Sequence, residues 1–191
     1  METKIDNPSV RKNELIEATF EIIARLGFEG LRIRDVAKEV GINPATMYYY
    51  FPTKEALIDN VIDYVFKRME IFIEEAPGTP KEQLHAHLTR LSRKMRDDPG
   101  LFAVYSEMQL RCRRNSAAEK FLQYETTWSK KLETLLYTGI RQGYWPNYLD
   151  PEQVAGTIIL IIQGAGLIAG QSTRQIENSF NQIERWMSGR Y

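Results

Sequence analysis

The chain has 191 residues, 43% hydrophobic and 26% charged, with 25 Lys and Arg balanced by 25 Asp and Glu. This composition excludes a low-complexity or disordered chain, and the length suffices for a sizeable buried core without disulfides or metals. Residues 1–60 carry eight Lys and Arg against ten Asp and Glu, so any contact with a polyanion must come from positive side chains gathered on one face rather than from bulk charge.

Taken in chain order, the punctuation is that of helices. Asn7-Pro8-Ser9 offers an N-cap with proline in the first turn. Leu15, Ala18, Ile22 and Leu26 then recur at steps of three or four, as on a helix with one buried face, and Gly27 is expected to stop it. Two short helices follow, over Ile33 to Val40 and from Pro44 to about Phe51, joined by a turn at Gly41-Ile42-Asn43. Gly41 suits a backbone of positive φ, Asn43 caps the second helix and Pro44 opens it. A long helix is predicted from Thr53 to about Glu75, ended by Pro77-Gly78. Thr79-Pro80-Lys81-Glu82 reads as a capping box, Asp98-Pro99 as a cap, and Ser116 to Glu119, Asp150 to Gln153 and Ser172 to Gln175 as further boxes. No segment alternates with period two. The expected fold is all-α with about nine helices: a three-helix head with a helix-turn-helix over residues 1–52, on a larger body over residues 53–191.

Within the helix pair, Val36, Val40, Met47 and Phe51 are spaced to point inward, and Ala37 is small where two helices cross. Ala45, Thr46, Tyr48 and Tyr49 then point elsewhere. Small residues followed by hydroxyl-bearing aromatics make a surface that fits a major groove, with the hydroxyls reaching phosphates or base edges. Arg34 and Lys54 flank that surface as the first candidates for phosphate contacts, with Arg32 and Lys12 behind them. Two short helices around a glycine turn also occur as plain packing, so this face is what separates a DNA-binding chain from a small helical adaptor without DNA contact.

The run Gly27-Phe28, Ile33-Arg34-Asp35-Val36-Ala37 and Gly41-Ile42-Asn43-Pro44-Ala45-Thr46-Met47-Tyr48-Tyr49-Tyr50-Phe51-Pro52-Thr53-Lys54-Glu55-Ala56-Leu57 resembles the TetR family of bacterial transcriptional regulators. The resemblance is detailed over residues 9–60 and extends to the rest in length and helix pattern. It implies a DNA-binding regulator, usually a repressor, that pairs as a homodimer and answers to a small molecule. Pro44, Ala45, Thr46 and Tyr48 would meet bases, beside the cap Asn43; Tyr49 and Lys54 would meet phosphates, with Arg34 nearby. The family often has Thr or Ser where Leu31-Arg32 stand, which leaves Arg32 as the electrostatic substitute for a phosphate contact. Ala45 stands where Gly is common and Met47 where Leu is common.

In the body, Tyr64, Leu88, Leu91, Met95, Phe102, Tyr105, Met108, Phe121, Tyr124 and Trp128 recur at helical spacing. Each alone reads as core. The resemblance implies an effector pocket among them, suited to an apolar or aromatic molecule. Gln163, inside an apolar helix, is either a polar anchor or an interhelical hydrogen bond. The stretch Val154 to Ala169 is too short for the ~20 residues of a membrane span and reads as a helix buried in protein. Ile158, Ile162, Ala165, Gly166 and Ala169 there, with Phe180, Ile183 and Trp186 on the last helix, are the expected dimer contacts, which the resemblance arranges as a four-helix bundle.

Catalysis is not expected. His85 and His87, the only histidines, lie two apart on a helix and cannot clamp one metal together. No Gly-rich phosphate loop, Cys pair or Gly-x-Ser-x-Gly occurs, so neither a metal nor a cofactor is expected. The single Cys112 and the absence of a basic-then-apolar leader point to the cytoplasm, with Cys112 as a packed small side chain.

Overall fold

A computed structural model of the chain describes residues 8–71, 77–114 and 119–189, and these form nine α-helices and no strand. They are α1 (Pro8–Gly30), α2 (Ile33–Val40), α3 (Pro44–Tyr50), α4 (Lys54–Met69), α5 (Pro80–Asp97), α6 (Pro99–Arg114), α7 (Glu119–Arg141), α8 (Pro151–Leu167) and α9 (Thr173–Met187).

The head is α1–α3. Leu15, Phe20, Ile22 and Ile23 bury one side of α1 almost completely, each contributing roughly 1.5–3 kcal/mol of transfer free energy. Val36 and Ala37 of α2, Met47 of α3 and Phe51 just after it are buried in the same core. Gly41 takes the left-handed conformation the turn requires (φ 72°), and the Asn43 side chain accepts from the Ala45 N–H at 2.8 Å, so the cap and the turn are those the sequence specifies. α4 packs on both α1 and α6, which places one helix in head and body together. In the body, α6 and α7 pack on α8, and α5 packs on α9.

Several expectations are corrected. α4 stops at Met69 rather than near Glu75: Glu70 turns left-handed (φ 51°), its N–H caps Lys67, and its carboxylate is drawn to Lys94 at 2.8 Å. Leu26 is exposed rather than on the buried stripe, because the chain leaves helical geometry one residue later and Phe28 takes the inward position. Asp98 stands before Pro99 at the start of α6, its carbonyl accepting the Leu101 N–H at 3.1 Å, and its carboxylate also accepts from Arg68 of α4 at 2.7 Å. Thr79 and Glu82 form the full capping box and Asp150 caps α8, but Ser172 makes no side-chain cap, its backbone being turned to ψ 54°. Ser116 and Ala118 lie outside the described residues.

The break in α1 is where head meets body. Gly27 sits at φ 65°, ψ −179°, a region open essentially to glycine alone. There the Phe28 N–H donates to Glu107 Oε2 of α6 at 3.2 Å. A Cβ on Gly27 would stand 3.1 Å from that same oxygen. Gly27→Ala is therefore expected to cost about 1–3 kcal/mol, read as a fall of several degrees in melting temperature; an unchanged melt would show that the junction tolerates a different backbone.

Candidate functional site

The outer face of α3 is built by elimination. Met47 is drawn into the head at 1% exposure, and the helical turn then leaves Tyr48 and Tyr49 at 58% and 77% exposure, with Pro44, Ala45 and Thr46 also open to solvent. Tyr49 packs edge-on against Tyr50, ring centres 5.1 Å apart. Arg34 is exposed on α2.

The flanking cations are arranged less simply than their spacing suggests. Lys54 is half-buried and its ammonium donates to the Leu31 carbonyl at 2.9 Å, tying the start of α4 to the start of α2. Burial first, then Arg111 and Arg32, pull its pKa below the usual lysine value. Arg32 donates to the Glu29 carbonyl at 2.6 Å and remains exposed, so Lys54, Arg32 and Arg111 form one positive group beside α2. Lys12 lies over the Phe51 ring at 5.4 Å.

Two residues that sequence reasoning missed bind this head to the body. Glu107 holds the Phe28 N–H, and Arg111, one turn on, pairs with Glu55 at 2.6 Å while its guanidinium covers the Phe28 ring at 5.1 Å. Both are charged residues on a mixed helix, and only the partner they meet distinguishes them from solvated charges.

Of the ten body residues expected to line a pocket, Leu88, Leu91, Met95, Phe102, Tyr105, Met108, Phe121 and Trp128 are all buried in one core, at 2% exposure or less. Tyr105 and Phe121 gather with Tyr124 around Phe66, which stacks on Tyr124 at 4.5 Å. Tyr64 is apart from them: its ring meets Phe20 at 5.4 Å and its hydroxyl accepts from Arg68 at 2.7 Å, at the joint between α1 and α4. The signal that could have found Phe66 is its four-residue step from Ile62. An open groove between the start of α5 and the end of α7 is lined by Thr79, Gln83, Thr127, Lys130, Thr138 and Tyr144, none of them expected from the sequence. His87 is buried beside Trp128, whose indole N–H donates to its Nε2 at 3.2 Å, while His85 points outward to Glu184, as their spacing requires. Burial, with Arg90 adding to it, holds the His87 pKa down to about 3. Cys112 is half-buried, and burial raises its thiol pKa.

The C-terminal helices distribute their apolar residues differently from expectation. Ile158, Ile162, Ala165, Phe180 and Ile183 are buried in the chain's own core, Gly166 faces Phe102, and Ala169 is half-buried. Among the expected dimer contacts only Trp186 is exposed, at 53%; the other outward apolar side chains of these helices are Leu160 and Leu167.

A family model described as bacterial regulatory proteins, tetR family, matches residues 15–61, which span the break, the helix pair and the first half of α4. A TetR transcription regulator from Haloarcula marismortui has the same fold, with a TM-score of 0.82 and 25% identity, covering 95% of this chain and 98% of that one. The match over the head and the fold over the whole chain are those of the TetR family. Among curated members, the repressor KstR of Rhodococcus jostii is 27% identical over 110 residues, 57% of this chain and 52% of its own length. The fatty acid metabolism regulator of Bacillus subtilis is 27% identical over 153 residues, 76% of this chain and 78% of its own length. The chain spans about half the length, or less, of the first curated relatives it matches. These TetR relatives are transcriptional regulators. Among the described residues no helix is long and apolar enough to cross a membrane.

Proposed function

We propose that this chain is a ligand-responsive repressor of the TetR family that binds a palindromic operator as a homodimer and releases it when a small, apolar or aromatic effector enters the body. The observation that carries this reading is the outer face of α3: Ala45, Thr46, Tyr48 and Tyr49 all face solvent while Met47 alone is buried. A packed adaptor helix would have no use for two tyrosines held out in water. Small residues at the start of the helix admit close approach to base edges, and the tyrosine hydroxyls suit phosphate oxygens. Lys54, Arg32 and Arg34 supply the positive field. In a dimer the half-sites would lie about one DNA turn (~34 Å) or more apart.

The effector reading rests on the aromatic core of α4, α6 and α7, with α6 as the element that carries its state to the head. Its Tyr105 faces that core, while Glu107 and Arg111 hold Phe28 and Glu55. An effector that shifts α6 by a fraction of a turn would disturb both contacts, and switches of this kind are typically worth ~1–3 kcal/mol.

The test is operator binding across a salt series with DNA from upstream of the gene. Tyr49→Ala and Lys54→Met should each weaken binding about equally on all sequences, and Lys54→Met, which removes a positive charge, should also reduce the salt slope by about one. Thr46→Ala should instead change which sequences are preferred. Lys54→Met should also lower the melting temperature slightly, since it frees the Leu31 carbonyl. If all three variants bind DNA as the parent does, α3 is not the reading helix.

A further inference from the structure

The body holds one carboxylate that neither packing nor pairing accounts for. Glu125 of α7 lies between α6 and α8: its Oε1 accepts from the Tyr105 hydroxyl at 2.5 Å and its Oε2 from the Gln163 amide at 2.8 Å. Gln163 also lies 3.4 Å from the Tyr105 hydroxyl, so three helices meet on this group. Both partners are uncharged. Among the described residues no ion pair reaches Glu125, and no cation offsets the burial that raises its pKa. The neighbouring acid shows the contrast: Asp63 accepts from the Tyr124 hydroxyl at 2.9 Å and is also neutralised by Lys120 at 2.5 Å.

A half-buried, unneutralised carboxylate is a poor way to stabilise a core, since an apolar side chain of similar volume would be less costly there. Its surroundings suit a positive charge. Tyr105 packs on Phe121 at 5.6 Å and on Phe66 at 6.0 Å, and aromatic faces attract organic cations. Tyr105 and Phe121 are sealed, whereas Glu125 and Gln163 are only partly covered, so the carboxylate stands where the aromatic core meets the surface.

Building on the reading of this core as the effector site, we propose that Glu125, framed by Tyr105 and Gln163, anchors an organic cation: an effector with an apolar or aromatic body and a positively charged nitrogen. The cation supplies the charge the fold withholds. Because Glu125 holds Tyr105, and Tyr105 precedes Glu107 and Arg111 on the same helix, a ligand that draws the carboxylate away acts directly on the contacts with the head.

The experiment compares benzyltrimethylammonium with its neutral carbon isostere, neopentylbenzene, and with benzoate, by calorimetry and thermal shift on the full chain. The expected result is at least tenfold tighter binding of the cation than of the isostere, and no binding of benzoate. Glu125→Gln should abolish that preference while leaving neopentylbenzene unchanged. Tyr105→Phe keeps the carboxylate and should retain the preference, which provides a reading even if Glu125→Gln folds poorly. Equal binding of cation and isostere, binding of neither, or a preference that survives Glu125→Gln overturns the proposal. Operator shifts with the unliganded protein separate the two claims: intact shifts without cation preference sink this inference alone, whereas absent shifts sink the repressor reading.

Discussion

Replacing Leu160 with arginine is expected to give a folded monomer that binds its operator at least ~100-fold more weakly than the parent, the scale set by losing a second tethered contact. Leu160 and Leu167 are 69% and 67% exposed on the outer side of α8, and Trp186 is 53% exposed on α9. Gly156 and Gly164, on the same helix as the two leucines, have nothing within 4 Å of where a side chain would begin. Such a surface is narrow and apolar, and a second copy of the chain can approach it closely. Since Leu160 touches little of its own fold, an added charge there should break association and spare the subunit. Ile158→Arg is the control: at 1% exposure it puts a charge inside the core and should unfold the chain. Sedimentation and operator titration on the same samples decide the matter. A Leu160→Arg protein that remains dimeric at unchanged operator affinity would place the interface elsewhere.

Trp128→Ala should be the most damaging single truncation in the body. The indole is fully buried, and its N–H is a donor to the buried Nε2 of His87. Large aromatic truncations cost about 3–5 kcal/mol, and an orphaned acceptor adds about 1–3 kcal/mol. At about 2–4 °C per kcal/mol for a chain of this size, the melting temperature should fall by ten degrees or more. A second readout separates this pair from a simple cavity. His87 is neutral in the fold, with its pKa lowered to about 3 by burial and by Arg90, while an unfolded histidine titrates near 6.5. Above about pH 6.5 neither state takes up the proton. As pH falls from there towards 3 the unfolded state binds it and the folded state does not, so stability is lost progressively. Trp128→Ala should let water reach His87, move its pKa back towards 6.5 and flatten that part of the stability profile. A Trp128→Ala protein that melts within a few degrees of the parent, with an unaltered acid limb, would show that the indole is not the centre of this core.

Much of the head could be read directly from residues. Gly41, Asn43 and Pro44 act through their own backbones, and a turn, a cap and a first-turn proline need no distant partner to do so. The alternation of Met47 with Thr46, Tyr48 and Tyr49 likewise follows from helical geometry once the inward side is known. The same holds for the all-helical fold, because caps and apolar steps of three and four are local signals. Burial in the last two helices was not legible in this way. Ile158 and Leu160 are both apolar and two residues apart, yet one is buried and the other lies open, because α6 and α7 cover one side of α8 and none of the described residues covers Leu160 on the other. Lys54 read as a free cation, and the fold gave its ammonium a carbonyl from another helix. Glu107, Arg111 and Glu125 carry no local mark at all. Charge on a helix says nothing about its partner until α1, α4, α6, α7 and α8 are brought together, since burial and pairing are set by residues tens of positions away. The sequence by itself therefore determined the helices, the turn and the outer face of α3; the tertiary structure alone decided which charges are buried, which helix joins head to body, and which apolar surface is left uncovered.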